Sequence, residues 1–180
     1  MSRKAGGKRP QLIVRALSAG RTRGWLDFGP FRWPCALGRS GIRAMKREGD
    51  GATPRGTFEV RRAYYRPHAM RRVATGVALR PFNPAMGWCD APGDRNYNRE
   101  VRLPYPASAE KMWRDDRLYD LVIVLGHNDL PRVRGGGSAI FIHVARPGYP
   151  PTEGCIALRR DHLKLLLGCL RHPVGVRCGG

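Results

Sequence analysis

Cys155 and His143 together supply the side-chain types that nucleophilic acyl chemistry needs. Cys155 follows a rigid, Gly-ended turn in Pro150-Pro-Thr-Glu-Gly-Cys-Ile-Ala-Leu158 and precedes an apolar stretch. A thiol at such an apex can be presented to a cleft, and Gly154 beside it permits dihedrals and close approaches that a Cβ would forbid. The N–H groups of Gly154 and Cys155 would then line an oxyanion site. A free thiol titrates at about 8.5 and is mostly protonated at neutral pH, so a nucleophilic Cys needs an imidazole or another cation beside it. His143 lies twelve positions upstream, joined by a Pro- and Gly-containing loop that can fold back to bring the two together. The competing reading is plain packing, since an isolated Cys is commonly a small core residue and an isolated His a satisfied one. The remaining cysteines, Cys35, Cys89, Cys169 and Cys178, complete no C-x-x-C pair, so neither a structural zinc site nor any other metal or cofactor is expected. An odd count leaves at least one thiol free in a monomer; with Cys155 free, the other four can pair in three ways or stay reduced.

The elements that must carry these groups read as mainly β. Leu12–Leu17, Gly24–Phe28 and Phe31–Leu37 have strand character, the last two joined at Gly29-Pro30 like a hairpin, and Thr57–Tyr65 and Val77–Arg80 follow. Pro81–Pro106 is rich in Pro, Gly, Asn and Asp and reads as a long ordered loop, with Trp88, Tyr97, Tyr105 and Trp113 around it, read first as core packing and second as a lid. Leu121–Leu125 is a continuous apolar run, expected of a strand buried on both faces. After a basic Gly-rich connection, period-two alternation in Ser138–Ala145 puts Ile140, Ile142 and Val144 on one face and Phe141, His143 and Ala145 on the other. Leu163, Leu166, Leu167 and Leu170 recur at helical spacing, Asp161 suits the helix start and Pro173 ends it; Val174–Arg177 could then close a sheet. The clearest helix therefore lies near residues 160–170, and at most one more is expected.

Length and composition set the outer limits. The chain has 180 residues, enough for one domain over residues 11–178 with a core of its own, behind a flexible basic arm at residues 1–10. At 42% hydrophobic, disorder is excluded, and no apolar run approaches the roughly 18 residues of a membrane-spanning helix. The formal charge of +19 suggests phosphate partners. All but five of the 33 basic residues are Arg, however, and they are scattered without blocks or any nucleic-acid-binding motif, so no nucleic acid is expected. Gln11–Leu17 is interrupted by Arg15 and lacks the core of a secretory signal.

Three segments in order, Gly51-Ala-Thr-Pro-Arg-Gly-Thr-Phe58, Gly137-Ser-Ala-Ile-Phe-Ile-His143 and Pro151-Thr-Glu-Gly-Cys-Ile156, resemble the signatures of the L,D-transpeptidase catalytic domain (YkuD-like) family. The resemblance spans Leu12 to Arg177. It implies a β-sandwich or barrel in which Cys155 is the nucleophile, His143 its general base and Gly154 part of the oxyanion site, with Thr152 bracing the turn at the substrate side. The implied substrate is a peptidoglycan stem peptide: the thiol takes the acyl group, releases D-Ala, and an acceptor amine resolves the thioester in cell-wall cross-linking. Carbapenems would be covalent inhibitors, the location would be the periplasm or cell envelope, and the chain is expected to be a monomer. Two positions depart from the family pattern. Ala157 stands where many members carry Arg or Asn and cannot bind a carboxylate, so that task would pass to Arg132, Arg134, Arg146 or Arg159. Glu153 stands where His or another polar residue is usual; its charge would raise the thiol pKa unless it points outward or pairs with an Arg. His127, at the end of the neighbouring strand, is read either as a second substrate-positioning residue or as a polar strand end bonded to its turn. The alternatives in function are L,D-carboxypeptidase-type hydrolysis at the same site, and a non-catalytic binder of anionic polymers or nucleic acid.

Overall fold

The computed structural model describes residues 11–171 and 173–179, so the basic arm expected at residues 1–10 lies outside the described residues. The strands are β1 (Gln11–Ala16), β2 (Arg23–Phe28), β3 (Phe31–Ala36), β4 (Ile42–Arg43), β5 (Thr53–Pro54), β6 (Gly56–Tyr65), β7 (Leu79–Pro81), β8 (Met86–Cys89), β9 (Arg99–Arg102), β10 (Ala109–Lys111), β11 (Leu121–Leu125), β12 (Phe141–Val144), β13 (Ile156–Leu158) and β14 (Gly175–Cys178), with one helix, α1 (Arg160–Cys169). Eight of them follow one another in the order β11-β12-β13-β3-β2-β1-β14-β6, and β6 pairs again with β11, so the sheet closes into a barrel; β7 extends it beside β6. Closure removes the unpaired edges that an open sheet of this size would expose. The β2–β3 hairpin turns at Gly29, in the left-handed region at φ +57, and Phe28 pairs with Phe31 across it. The C-terminal strand completes the ring, with β14 parallel to β1 and antiparallel to β6.

Alternation along the barrel strands separates two cores. Leu121, Ile123 and Leu125 of β11 and Ile142 and Val144 of β12 point inward to a cluster that Leu163, Leu166, Leu167 and Leu170 of α1 also enter. These four leucines are fully buried, and each contributes about 1.5–3 kcal/mol by leaving water. Val122, Val124 and Phe141 point outward, into a second cluster with Tyr64, Trp88, Met112, Tyr119 and Cys155.

What covers the outer face corrects the sequence reading of Pro81–Pro106. Instead of a long loop, the segment contains β8 and β9, which join β10 in a three-stranded antiparallel sheet. Gly87, which looks like a loop signal, sits inside β8 because the side chain of Leu103 packs against it: a Cβ there would lie 2.8 Å from Leu103 Cδ2. Trp88 and Tyr97 are buried, as core packing predicts; Trp88 meets the ring of Phe141 edge-on at 5.1 Å. The small sheet thus holds the outer faces of β11 and β12 away from water, and those faces carry the candidate site.

Candidate active site

Strands β12 and β13 run parallel with Ile142 beside Ile156 and His143 beside Ala157. Cys155 is two residues before Ala157 and shares its parity, so His143, Ala157 and Cys155 face the same side, with the cysteine about 7 Å further along the strand direction. All three line one cleft of ≈ 290 Å³. The small side chain of Ala157 lies beside His143 in the lining of the same cleft.

The turn before Cys155 is tied down on every side. Thr152 Oγ1 donates to the Cys155 carbonyl at 2.6 Å and accepts from Gly154 N–H at 3.2 Å. Thr152 N–H donates to Leu37 O, and Arg39 N–H donates to Thr152 O, which fastens the turn to the end of β3. Gly154 adopts φ +134, and a Cβ there would lie 2.8 Å from the Ala52 carbonyl oxygen. The first of the three sequence segments therefore acts as the floor under the third, and buried Thr53 supports it by accepting from Gly38 N–H. Glu153 points outward and pairs with Arg39 at 2.8 Å, which keeps its charge off the thiol as expected. Because Gly154 N–H already serves Thr152, the Cys155 N–H is the turn amide left for an oxyanion.

The thiol is buried and hydrogen-bonded within the protein: it donates to Ala139 O at 3.1 Å and accepts from Phe141 N–H at 3.3 Å. Burial, followed by the negative field of Glu110, pushes its pKa up to about 12. His143 Nδ1 lies 2.9 Å from the Val144 carbonyl, which can only accept, so Nδ1 carries the proton and Nε2 keeps its lone pair. Burial lowers the His143 pKa to about 4. Both partners are thus neutral across the physiological range, because neither charge would be solvated in this cleft.

The far wall comes from β10 and the segment that leads from it to β11, and it was not foreseen from the sequence. Tyr119 stacks its edge against His143, ring centroids 5.3 Å apart, and donates from its hydroxyl to Glu110 at 2.7 Å. Arg114 lies over the Tyr119 ring and bonds Asp116 and Glu110; Arg146, exposed at the mouth, reaches Asp116 at 2.9 Å. Of the four arginines weighed for a carboxylate, Arg146 is the one that lines the cleft, and Arg114 joins it. No spacing to a motif marks Glu110, Arg114 or Tyr119; only the hydrophobic packing of the insert brings them here.

The other candidates lie elsewhere. Arg132 lines a separate cavity, Arg134 is exposed in the Gly-rich connection, and Arg159 is exposed and paired with Asp161 at 2.5 Å. His127 does not reach the cleft: its Nε2 bonds Gly136 O at 2.9 Å and its ring stands edge-on to Phe58, the turn-bonded alternative. All five cysteines are free thiols, and Cys35, Cys89 and Cys178 are buried. No group of metal-ligating side chains occurs among the described residues.

A family model described as L,D-transpeptidase catalytic domain matches residues 17–175. No curated protein matches the chain. Three chains of solved structures match, among them L,D-transpeptidase 1 of Mycobacterium tuberculosis, 12% identical, with a TM-score of 0.40. That match covers 95% of this chain and 63% of the other, so the chain spans less than two thirds of that relative's length.

Proposed function

The chain belongs to the L,D-transpeptidase catalytic domain family, and from that membership we propose that Cys155 is its nucleophile and His143 its base in acyl transfer on peptidoglycan stem peptides at the cell envelope. The observation that carries this reading is the parallel register of β12 and β13, which sets His143 and Cys155 on one face of one cleft with Nε2 of the imidazole free to accept a proton.

The donor carbonyl enters above Ala157. The thiol proton passes to His143 Nε2 as Sγ bonds to the carbonyl carbon, and the oxyanion is held by the Cys155 N–H. Separating charge between a thiol at about 12 and an imidazole at about 4 is costly because both groups are buried. The reaction therefore couples proton transfer to attack, with no standing thiolate–imidazolium pair. The C–N bond to the terminal D-Ala breaks, and the departing amine takes the proton from His143. An acceptor amine then attacks the thioester and gives its proton to His143; the C–S bond breaks and the thiol is restored. Arg114 and Arg146 hold the donor carboxylate at the mouth, the task that Ala157 cannot perform.

The test is incubation with a purified stem tetrapeptide or a carbapenem, followed by intact mass. An acyl adduct on the wild type that is missing from Cys155→Ala is the expected result; folded wild-type protein with neither adduct nor product refutes the reading. Adding an acceptor amine then separates transfer from hydrolysis: a cross-linked peptide is expected, and a free tripeptide alone would identify a carboxypeptidase.

A further inference from the structure

A second cavity, of ≈ 360 Å³, lies between the end of β11, β6 and the small sheet, with Trp88 in its wall. Arg61, Arg62, Arg99 and Arg132 border it. Arg61 is neutralised by Asp129 and Glu59. Arg62, Arg99 and Arg132 form no ion pair among the described residues. Arg62 is half-buried, its guanidinium lies over the Tyr64 ring at 5.9 Å from the centroid, and its Nε has no hydrogen-bond partner among the described residues, so its charge is not met by any acid of the chain. The acidic neighbours are already engaged: Asp129 holds Arg61, and Glu100 accepts from the Tyr64 hydroxyl at 2.5 Å. Leu130 at the rim is 80% exposed.

We infer that this cavity is a binding site for a carboxylate carried on a short, partly apolar chain, such as the end of a peptide. A guanidinium presents paired N–H donors that match the two oxygens of a carboxylate, and Arg62 with Arg132 supplies them at the cavity wall. Glu100 and Asp129 at the same wall reduce the positive field, which suits a singly charged carboxylate better than a doubly charged phosphate. Leu130 offers the apolar contact. The site is independent of the thiol: it lies outside the Cys155 cleft and needs no reaction there.

The Trp88 indole N–H, identified by its loss in Trp88→Phe, reports on this cavity by NMR. Titration with N-acetylalanine should shift that resonance saturably, and N-acetylalanine methyl ester should not. In Arg62→Gln/Arg132→Gln the affinity should fall about tenfold or more, the scale of losing a charge-assisted pair. Arg132→Gln alone serves if the double variant misfolds and should weaken binding in the same direction. Arg114→Gln/Arg146→Gln, which alters the Cys155 cleft, should leave the affinity unchanged. The proposal is overturned by no saturable shift, by equal binding of the ester, by indifference to Arg132, by equal loss in Arg114→Gln/Arg146→Gln, or by tighter binding of inorganic phosphate than of N-acetylalanine. Because Cys155→Ala binds as well as wild type under this proposal, its failure is distinct from any failure of the acyl-transfer reading.

Discussion

The thiol of Cys155 donates to the Ala139 carbonyl at 3.1 Å, and Ala139 itself is held in the left-handed region at φ +52. A non-glycine residue in that region carries strain and persists only where its surroundings fix it. The resting thiol is therefore engaged by backbone, and His143 is held by a different carbonyl, that of Val144.

That arrangement predicts the pH dependence of alkylation. A thiol with its pKa pushed up to about 12 has little thiolate at neutral pH, and the thiolate fraction grows about tenfold per pH unit below that value. Iodoacetamide modification of Cys155, followed by mass spectrometry, should rise steadily between about pH 7 and 9 without a plateau. A plateau near neutrality would reveal a preformed ion pair and contradict the neutral resting state.

Acid stability follows from His143. Its pKa is lowered from 6.5 to about 4 by burial, so the unfolded chain binds the proton more tightly than the folded one. The stability this neutral imidazole contributes is present above pH 6.5 and is lost as pH falls through 4. Urea unfolding across that window should show a slope of up to about 1.4 kcal/mol per pH unit from this group. In His143→Gln that component should vanish; an unchanged slope would refute the assignment.

Gly154→Ala should remove activity and stability together. The new Cβ would meet the Ala52 carbonyl at 2.8 Å, and the φ of +134 suits glycine alone. A loss of about 2–4 kcal/mol in thermal or urea unfolding is expected, with acyl-adduct formation falling by about a hundredfold or more. A fully stable, fully acylated variant would show that the turn is not rigid.

Asn98 joins the small sheet to Ala139, whose carbonyl accepts from the Cys155 thiol. Its Oδ1 accepts from Trp88 Nε1 at 2.9 Å and from Ala139 N–H at 3.1 Å, and its Nδ2 donates to the carbonyls of His127 and Asn128. Asn98→Ala should cost about 2–4 kcal/mol, because buried donors and acceptors lose their partners at once. Freed from Asn98, Ala139 should relax, and acylation of the folded fraction should slow by about tenfold. Stability within about 0.5 kcal/mol of wild type would exclude this role.

Arg146→Gln should raise KM for the tetrapeptide by about tenfold with kcat nearly unchanged, the pattern of lost ground-state binding. Arg114→Gln should lower kcat as well, since Arg114 also braces the Glu110–Tyr119 pair behind His143. Steady-state kinetics on both variants separates the two roles, and an unaltered KM in Arg146→Gln would remove Arg146 from carboxylate recognition.

Local order in the sequence determined the longer barrel strands and the helix and singled out Cys155 and His143, but it missed the small sheet of β8, β9 and β10. Alternation in Ser138–Ala145 placed His143 opposite Ile142, helical spacing found the four leucines of α1, and the Gly-ended turn marked Cys155, because each signal depends on neighbours a few positions apart. The expectation that Glu153 would point outward or pair with an arginine also held, and the partner, Arg39, lies 114 positions away, so only folding could name it. Tertiary structure alone decided the rest. Ala52 under Gly154, Tyr119 against His143 and Asn98 beneath Ala139 are contacts between segments far apart in the chain, set by barrel closure and by the small sheet packing on its outer face. Charge was the least informative sequence signal. An arginine's role depends on which acid it meets and where: Arg159 pairs with Asp161 on the surface, Arg61 with Asp129 beside the second cavity, and Arg146 with Asp116 at the mouth of the cleft.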